Sequence, residues 1–396
     1  MKVLIVCQFY YPENFVISKI AERIAGYGHD VTVLTGKPNY GYGYILPEYK
    51  KISSEVVNGV KVERVDIKPR KQTRLSIIFN YLSFWKNSKK WVRKTKEQFD
   101  VIYSMSLSPV TILSAGNLYK KKHGTPHVVH CVDLWPESVL VTNAVKKNSL
   151  TYRFLYRWSK SLYSKTDEII IGSPSFKDYF NNVLNINNID MTFIPQPSMV
   201  ETSDLPPFEF DKDYFNILYC GNLGIIQDIP YIVDAMKELK GSKIRFNIIG
   251  MGPFSNYLVS KIKEYDLEDN LVYFGPMPAE QASAYFKGAD ALYVPLRNSG
   301  TVGKTIPNKL VMSMAFAKPI LAMLEGDGKR ILMEADGAVF ADQSASSLVE
   351  SINTISQMNK KDLDRLGSNN YSYYQSHLVL EKISKEIEQE LLNKIK

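Results

Sequence analysis

The sequence alternates, twice over, between short continuous apolar runs and amphipathic stretches with helical spacing. Continuous apolar runs predict strands that are buried on both faces, as in parallel sheets covered by helices on each side. The runs are KVLIVC, VTVLT, VKVERVDI, DVIYSMS, PHVVHCVDL and EIIIGS in the first half, and FNILYC, IRFNIIG, LVYFG, ADALYVPL and PILAML in the second. The pattern therefore predicts an α/β protein with two doubly wound parallel sheets.

A proline-rich segment separates the two halves. Residues 195–214 contain four prolines and no helical period, so they predict a linker. A chain of 396 residues exceeds one ordinary core and fits two domains. We expect a first domain over 1–197, a second over 198–370, and a helical tail over 371–396 that packs back on the first. Because parallel sheets bind ligands at the carboxyl ends of their strands, we expect a ligand cleft between the two domains.

The three cysteines, Cys7, Cys131 and Cys220, lie in or beside apolar runs and have no metal-ligand spacing. We therefore expect reduced core thiols in the cytoplasm and no bound metal. The apolar run at the amino terminus is shorter than a signal-peptide core. No stretch of about 18 apolar residues occurs, so no membrane-spanning segment is expected.

The net charge of +8 comes from two segments. Nine basic residues and no acidic one lie from Arg70 to Lys96, and six more without an acid lie from Lys146 to Lys165. Because these segments contribute +15, the rest of the chain has a net charge of −7. The basic character therefore belongs to two patches of the first half.

Aromatic and apolar residues interleave with both basic patches. This mixture is typical of interfacial helices, whose aromatic side chains enter the headgroup layer of an anionic membrane. The alternative is that the apolar stripes are core and the lysines a solvated face. Single-stranded nucleic acid also binds such surfaces, but the confinement of the charge to the first half disfavours it as a partner. The residues assigned to membrane contact are Arg74, Trp85, Lys89, Lys90, Trp91, Arg93, Arg153, Arg157 and Trp158.

The stretch SGTVGKTIPNKLVMSMA, residues 299–315, contains a Gly-Lys-Thr sequence like the end of an ATPase phosphate loop. That loop needs a glycine five positions before its Gly-Lys, where this chain has Asn298, so an ATPase is disfavoured. One cation remains, Lys304, beside a predicted helix start with Thr305 near the cap and Pro307 in the first turn, a setting that suits an anion. An ordinary surface loop with chance lysines is the alternative.

Glycines follow the first two predicted strands of the second half. Gly221 and Gly224 come after the first strand, and Gly250 and Gly252 come after the next. Glycine lets a ligand approach the backbone closely, although it also serves plain turns. Together with the lysine-containing loop, these strand ends outline a site for a nucleoside diphosphate.

The chain resembles the glycosyltransferases of family 4, which have the two-domain GT-B fold of two Rossmann-like sheets. It is most similar to bacterial enzymes that build surface polysaccharides, including fucosamine-type transferases. The stretches that carry the resemblance are FYYPENFVISKIAERIAGYGHDVTVLTGKPNY, CVDLWPES, GNLGIIQDIPYIVDAM, IIGMGP and IPNKLVMSMAFAKPILA. The resemblance implies a nucleotide-sugar donor on the second domain, an acceptor on the first, and transfer with retained configuration without an obligatory metal.

The chain departs from the family pattern where the family binds its donor. Members often have two glutamates flanking seven residues, and the matching positions here are Lys304 and Met312. An arginine and a lysine that commonly hold the diphosphate are matched by Asn222 and Gln227. We expect Lys304 and Lys309 to supply the missing charge. The donor-binding candidates are Gly221, Asn222, Gln227, Gly250, Gly252, Met277, Thr305 and Lys309.

Polar residues also follow strands of the first half. Glu13 and Asn14 come after the first strand, and Asp133 and Glu137 come after the strand in PHVVHCVDL. Carboxylates can orient and deprotonate an acceptor hydroxyl. The alternatives are a helix cap for Asp133 and a solvated first-turn glutamate for Glu137. We assign Glu13, Asp133 and Lys304 to catalysis, and Asn14 and Glu137 to acceptor binding.

These residues lead us to expect a retaining glycosyltransferase on the inner face of the cell membrane. It would move an N-acetylated or deoxy hexosamine from a UDP-linked donor to a polyprenyl-diphosphate-linked saccharide, for a capsule or O-antigen. A nucleotide-sugar epimerase of the same fold is one alternative, and it would need no membrane. A non-catalytic nucleotide-sugar sensor is the other, suggested by the two missing glutamates.

Overall fold

The computed structural model describes residues 1–71, 73–141, 145–199 and 204–395. The chain forms two compact units, a first unit of Met1–Gln196 with Leu380–Lys396 and a second unit of Pro197–Val379. The predicted boundary at residue 370 falls inside a helix that stays with the second unit. Residues 200–203 of the predicted linker lie outside the described residues.

The first unit contains a sheet of eight strands. They are β1 Lys2–Val6, β2 Asp30–Gly36, β3 Ser54–Val57, β4 Val60–Val65, β5 Val101–Ser106, β6 His127–Cys131, β7 Glu168–Ile171 and β8 Asp190–Phe193. Their spatial order is β3-β4-β2-β1-β5-β6-β7-β8, and every neighbouring pair is parallel except β3 with β4. Strands β5 and β6 are buried along their whole length, because helices cover both faces of the sheet.

The second unit contains a sheet of six parallel strands. They are β9 Phe215–Cys220, β10 Ile244–Ile249, β11 Leu271–Gly275, β12 Ala291–Pro295, β13 Ile320–Met323 and β14 Ala338–Phe340. Their order is β11-β10-β9-β12-β13-β14, so the direction of winding reverses between β9 and β12. Its largest core cluster packs side chains of β9 and β10, such as Tyr219 and Phe246, against the helices on one face.

Helices connect the strands in both units. They are α1 Val16–Gly26, α2 Arg74–Lys94, α3 Leu113–His123, α4 Glu137–Val141, α5 Leu150–Tyr163, α6 Phe176–Asp178, α7 Ile229–Glu238, α8 Ser255–Glu264, α9 Ala279–Gly288, α10 Asn308–Met314, α11 Gly326–Ala335, α12 Ala345–Ser356, α13 Lys360–His377 and α14 Leu380–Ile395. Helix α2 begins after Thr73, whose side chain caps it by accepting from the amide of Ser76. Helix α3 ends at Gly124, which has a φ of 76°, as is common at helix ends.

The predicted fold class is confirmed, since both sheets are doubly wound and all their strand pairs except β3 with β4 are parallel. Each apolar run predicted as a strand forms one, with ends shifted by at most three residues. The sequence analysis missed β3, β8 and β14, which are short strands at or beside a sheet edge and lack a long apolar run. The predicted helical tail is two helices: α13 belongs to the second unit, and α14 packs against α1 in the first.

Candidate active site

The site in the second unit lies where the winding of its sheet reverses. Doubly wound sheets bind ligands at the carboxyl ends of the two strands on either side of this reversal, which here are β9 and β12. The loop after β9 contains Gly221–Gly224, and the segment after β12 leads into α10. A bond of 2.8 Å from the amide of Arg297 to the carbonyl of Ile226 joins the two loops. The predicted donor-binding residues therefore lie at the carboxyl ends of the strands, which is the side of the sheet where this topology favours a ligand.

Gly221 and Gly250 let two strand-end loops pack directly on each other. Gly250 has a φ of 135°, and a Cβ there would lie 1.9 Å from the carbonyl oxygen of Gly221. Gly221 has a φ of 149°, and a Cβ there would lie 2.2 Å from Cε of Lys309. At Gly250, a side chain is excluded by the backbone of Gly221 as well as by the backbone conformation. At Gly221, a side chain is disfavoured by the backbone conformation and would displace the end of the Lys309 side chain. The sequence predicted that a ligand approaches the backbone at Gly221. In the structure, the side chain of Lys309 lies close to the backbone there.

Lys309 brings a largely buried cation to these glycines. Its Nζ donates to the hydroxyl of Tyr219, which in turn donates to the carbonyl of Asn222 at 2.5 Å. Among the described residues, no carboxylate lies within ion-pair distance of this ammonium. Burial lowers the pKa of Lys309 to about 8, and the nearby Cys220 only partly opposes this shift. An anion bound here would supply the counter-charge that the protein does not.

Other predicted donor-binding residues support the loops. Gln227 is buried, and its side-chain oxygen accepts from the amide of Gly224 at 3.1 Å, so it fixes the shape of the loop. A Cβ on Gly252 would meet the carbonyl oxygen of Leu223 at 2.5 Å. Asn222 is exposed, and Met277 packs half-buried beside an apolar cluster. The structure therefore gives Gln227 and Gly252 a structural position within the loops.

The lysine-containing segment differs from its prediction. Helix α10 begins at Asn308 with Pro307 as its cap, so Thr305 lies before the helix and not at its end. Lys304 is exposed at the end of a short 3-10 turn, Val302–Lys304, whose backbone packs against Gly326. Pro307, which was expected in the first turn, has extended backbone angles of φ −74° and ψ 140°, so the helix begins one residue after it. The assignment of Lys304 to catalysis stays a prediction, and Lys309 is the cation that contacts the strand-end glycines.

In the first unit, Glu13 is buried and bound to backbone. Its Oε1 accepts from the amides of Asn39 and Tyr40 at 2.6 and 2.5 Å. Burial raises its pKa, and these two amides oppose the rise. The carboxylate therefore fixes the loop after β2, and a direct catalytic role would require it to leave these bonds.

Asp133 and Glu137 lie in the loop and short helix after β6. Oδ2 of Asp133 accepts from the hydroxyl of Ser108 at 3.3 Å, and burial raises its pKa. Oε1 of Glu137 accepts from the hydroxyl of Tyr152 at 2.8 Å, so this residue is not the solvated glutamate of the alternative reading. Asn14 is exposed in the loop after β1. Ser108 follows β5, so Asp133 lies beside the point where the first sheet reverses its winding.

The two basic patches meet in the structure. Trp85 of α2 and Trp158 of α5 form an edge-to-face pair with ring centroids 6.1 Å apart. Near this contact, α2 exposes an apolar face, and α5 exposes Leu150 and Phe154. The exposed apolar residues of α2 are Leu75, Ile78, Phe79 and Leu82. We call these six apolar residues, with Arg74, Lys90, Arg93, Arg153 and Arg157, the α2/α5 surface; its basic side chains are also exposed.

Three of the residues predicted for membrane contact are placed differently. Trp91 lies on the core side of α2, where its Nε1 donates to Glu63 at 3.1 Å. Trp158 is half-buried against the core of the first unit. Lys89 lies over the ring of Trp85, with its Nζ 4.4 Å from the centroid. The core alternative therefore applies to Trp91, because the helix turns it toward the sheet.

No helix in the described parts of the chain is long and apolar enough to cross a membrane.

The sequence analysis missed an arginine that the fold surrounds with aromatic rings. Arg70 follows β4, and its guanidinium carbon lies 4.8 Å from the ring centroid of Tyr40 and 5.6 Å from that of Tyr81. In the sequence, Arg70 was counted only as part of a basic patch. It follows a strand end, as Glu13 and Asp133 do, and that position could have marked it as a candidate site residue.

Both halves of the chain match glycosyltransferase family models. Residues 14–197 match the glycosyl transferase 4-like domain, and residues 201–373 match glycosyl transferases group 1. The fold is that of solved GT-B enzymes. Sucrose-phosphate synthase from Thermosynechococcus elongatus superposes with a TM-score of 0.75 at 16% identity, covering 99% of this chain and 98% of that one. HepE from Anabaena, solved in complex with UDP, gives 0.70 at 14% identity, covering 99% and 100%.

The chain belongs to the GT-B glycosyltransferases with a 4-like domain and a group 1 domain. Among curated proteins, it is 29% identical over 238 residues to the probable glycosyltransferase WbjE of Pseudomonas aeruginosa. That match covers 57% of this chain and 58% of WbjE, less than two thirds of either. The amylovoran biosynthesis glycosyltransferase AmsD of Erwinia amylovora is 21% identical over 374 residues, 93% of each chain.

Proposed function

We propose that this glycosyltransferase transfers a sugar from a nucleoside diphosphate donor to a lipid-linked saccharide during assembly of a bacterial surface polysaccharide. The donor class is supported by Lys309, a buried ammonium without a carboxylate partner among the described residues. This is the observation that carries the proposal. The name of AmsD, an amylovoran biosynthesis glycosyltransferase, supports the polysaccharide context, and the UDP complex of HepE supports the nucleotide.

Lys309 is positioned to act on the leaving group. Breaking the bond between the sugar and the diphosphate builds negative charge on the diphosphate oxygens. A preorganised cation in a partly desolvated site stabilises that charge more than the ground state, which lowers the barrier. The hydroxyl of Tyr219 and the carbonyl of Asn222 hold the ammonium in place. Lys309 thereby compensates for the family cations that this chain lacks after β9.

The acceptor binds on the first unit in this proposal. Asp133 accepts a hydrogen bond from the acceptor hydroxyl, and its raised pKa makes it a stronger base than an exposed aspartate. Transfer proceeds with retention from a UDP-linked hexosamine without an obligatory metal. The α2/α5 surface binds anionic lipid and brings the enzyme to a membrane-embedded acceptor, at the inner face of the cell membrane.

The donor site is tested by Lys309→Met and Lys309→Arg. Removing a charge-assisted bond to phosphate costs about 1.5 to 3 kcal/mol, so we expect UDP affinity to fall at least about tenfold in Lys309→Met. Lys309→Arg should retain more affinity, because it keeps the charge. Titration calorimetry with UDP and GDP measures both effects. The matched control is Lys263→Met, an exposed lysine of α8 in the same unit, which should bind UDP as the wild type does.

Two results would contradict the donor site. One is unchanged UDP affinity in a folded Lys309→Met variant. The other is the absence of UDP and GDP binding to the wild type at millimolar concentration.

Turnover is then followed as loss of a UDP-sugar with appearance of a lipid-linked product in a membrane extract. This assay also separates a transferase from an epimerase, which would change the sugar nucleotide without forming a lipid product.

A further inference from the structure

We propose that Arg70 binds a phosphate of the acceptor's lipid diphosphate, in a cage of aromatic rings at the edge of the α2/α5 surface. This inference rests on the proposed function for the identity of the acceptor. It assigns to the first unit a phosphate site separate from the donor site of the second. The site is built by Arg70, Phe9, Tyr40 and Tyr81.

The guanidinium of Arg70 lies over three aromatic rings. Its carbon lies 4.8 Å from the ring centroid of Tyr40, 5.6 Å from that of Tyr81 and 6.0 Å from that of Phe9. Aromatic faces attract a guanidinium through the ring quadrupole. These ring contacts occupy no N–H group, so the N–H edge of the guanidinium is left for bonds to a ligand. That edge fits two oxygens of a phosphate at once, which a lysine cannot do.

The cage is held by a buried hydrogen-bond network. Glu13 binds the amides of Asn39 and Tyr40 and so fixes one wall. Oδ1 of Asn39 accepts from the amide of Arg70 at 2.8 Å and from the side chain of Asn80 of α2 at 3.1 Å. These bonds tie together the loops after β1, β2 and β4. The buried Glu13 therefore acts as a positioning residue for the phosphate site.

Arg70 has no anionic partner in the part of the chain that the structure describes. Among the described residues, no carboxylate lies within 4.0 Å of its guanidinium, and no acceptor bonds to its side chain. The buried Arg64, by contrast, is paired with Glu55 at 2.5 Å. Arg70 is half-exposed, so a ligand can reach it. A caged cation with open donors and no counter-charge is the arrangement expected of an anion site.

The location fits a substrate with a lipid tail and a sugar head. Arg70 lies four residues before Arg74, where α2 begins, and the exposed Leu75, Ile78 and Phe79 follow on the first turns of that helix. On the side of Arg70 away from these apolar residues lies Tyr81. Burial raises the pKa of its hydroxyl, the charge of Arg70 lowers this pKa, and the charge of Asp133 raises it. Both charges therefore lie near this hydroxyl. A diphosphate at Arg70 would place its lipid toward α2 and its saccharide toward Asp133.

Binding of farnesyl diphosphate tests the site on the full chain. Titrations are run with saturating UDP, so that the donor site is filled, using farnesyl diphosphate, inorganic pyrophosphate and farnesol as probes. We expect Arg70→Gln and Arg70→Met to weaken farnesyl diphosphate at least tenfold and to leave farnesol unchanged. Arg23→Gln, at an exposed arginine of α1 outside the α2/α5 surface, is the matched control and should bind as the wild type does. UDP affinity should be the same in all four proteins.

A second measurement needs no variant. Phenylglyoxal modifies accessible arginines, and peptide mass spectrometry locates the adduct. Farnesyl diphosphate should protect Arg70 in the wild-type protein, whereas farnesol should not.

Flotation with phosphatidylglycerol and phosphatidylcholine vesicles distinguishes a phospholipid headgroup from the acceptor diphosphate as the source of the phosphate. We expect Arg70→Gln to float with phosphatidylglycerol as the wild type does.

Three outcomes would overturn the inference. They are unchanged affinity for farnesyl diphosphate in both variants, protection of Arg70 by farnesol, and loss of phosphatidylglycerol binding that matches the loss of diphosphate binding. Each leaves UDP binding untouched, so failure of the phosphate site is distinguishable from failure of the proposed function. If UDP binding fails instead, the proposed function is lost, while protection of Arg70 still decides whether the phosphate site exists.

Discussion

At the two proposed anion sites, the protein has a partly buried cation, Lys309 in one and Arg70 in the other. Lys309 and Arg70 each have aromatic neighbours and no carboxylate partner among the described residues. The buried histidines differ, since His127 and His130 both bond to neighbouring polar groups. Burial lowers their pKa values to about 3 and about 4, so both are neutral near pH 7. The cations at the two proposed ligand sites therefore lack a charged partner, whereas these core histidines are neutral and hydrogen-bonded.

The lowered pKa of Lys309 predicts pH-dependent binding of UDP. The ammonium carries its charge below about pH 8 and loses it as the pH rises through that value. We expect UDP affinity to be constant from pH 6 to about 7.5 and to fall up to about tenfold per pH unit above 8. Burial raises the pKa of neighbouring Tyr219, and it raises that of Cys220 to about 11, so neither titrates in this range.

Calorimetry between pH 6 and pH 9.5 measures this dependence. Lys309→Arg serves as the control, because a guanidinium keeps its charge throughout and should give a flat profile. Lys309→Met should be flat as well, at a lower affinity. Equal profiles for the wild type and Lys309→Arg would contradict titration of Lys309 in this range, and any slope that the two share would belong to another group.

At the scale of elements, helix α2 has one face in the core and an exposed apolar face opposite it. Asn80, Phe84, Ser88 and Val92 face the core at spacings of four residues, while the exposed apolar side chains lie opposite. Hydrophobic residues on a solvated helix face usually mark an interaction surface when they form a continuous patch. The basic residues around this patch match an anionic bilayer.

The double variant Leu75→Ser with Phe79→Ser tests this surface. Their side chains are 67% and 58% exposed, so we expect little loss of stability. Each would contribute about 1.5 to 3 kcal/mol if it were fully buried in lipid, so binding to phosphatidylglycerol vesicles should fall at least about tenfold. Vesicle flotation measures the loss, with thermal unfolding as the check on folding.

The matched control replaces two exposed apolar residues of other helices, Val259→Ser with Met333→Ser, which are 39% and 62% exposed. This pair should float as the wild type does. Equal loss in both double variants would show that vesicle binding is a general effect of surface hydrophobicity, and the α2/α5 surface would lose its assignment.

At the scale of the whole molecule, the last helix completes the first unit, although it follows the second in the chain. Helix α14 buries Ile383, Ile387 and Leu391. Its Glu388 lies 2.6 Å from the ring of His29, which follows α1. The first unit therefore depends on both ends of the chain for its core.

Ile387→Ala should destabilise the first unit more than the second. Truncating a fully buried isoleucine costs about 2 to 5 kcal/mol of unfolding free energy. Hydrogen exchange followed by mass spectrometry should show faster exchange in α1 and β1 and unchanged protection in β9 and β10. Gln389→Ala, an exposed position of the same helix, is the control. A uniform change across both units would contradict this division of stability.

The sequence by itself determined the two sheets, most of their strands and the strand-end loops that contain the candidate residues. It could do so because burial on both faces leaves continuous apolar runs, and because strand order places successive carboxyl ends at one edge. It also predicted Lys309 as a donor-binding residue, and it assigned Lys304 to catalysis. The short edge strands β3, β8 and β14 carried no such signal.

Only the tertiary structure decided which side chains work together. Packing placed Lys309 on Gly221, turned Trp91 toward the core, joined two basic patches at Trp85 and Trp158, and closed three rings around Arg70. These contacts join residues that are far apart in sequence. Their formation depends on how helices rotate and loops pack over the sheet, and a local pattern of residue types does not encode that geometry.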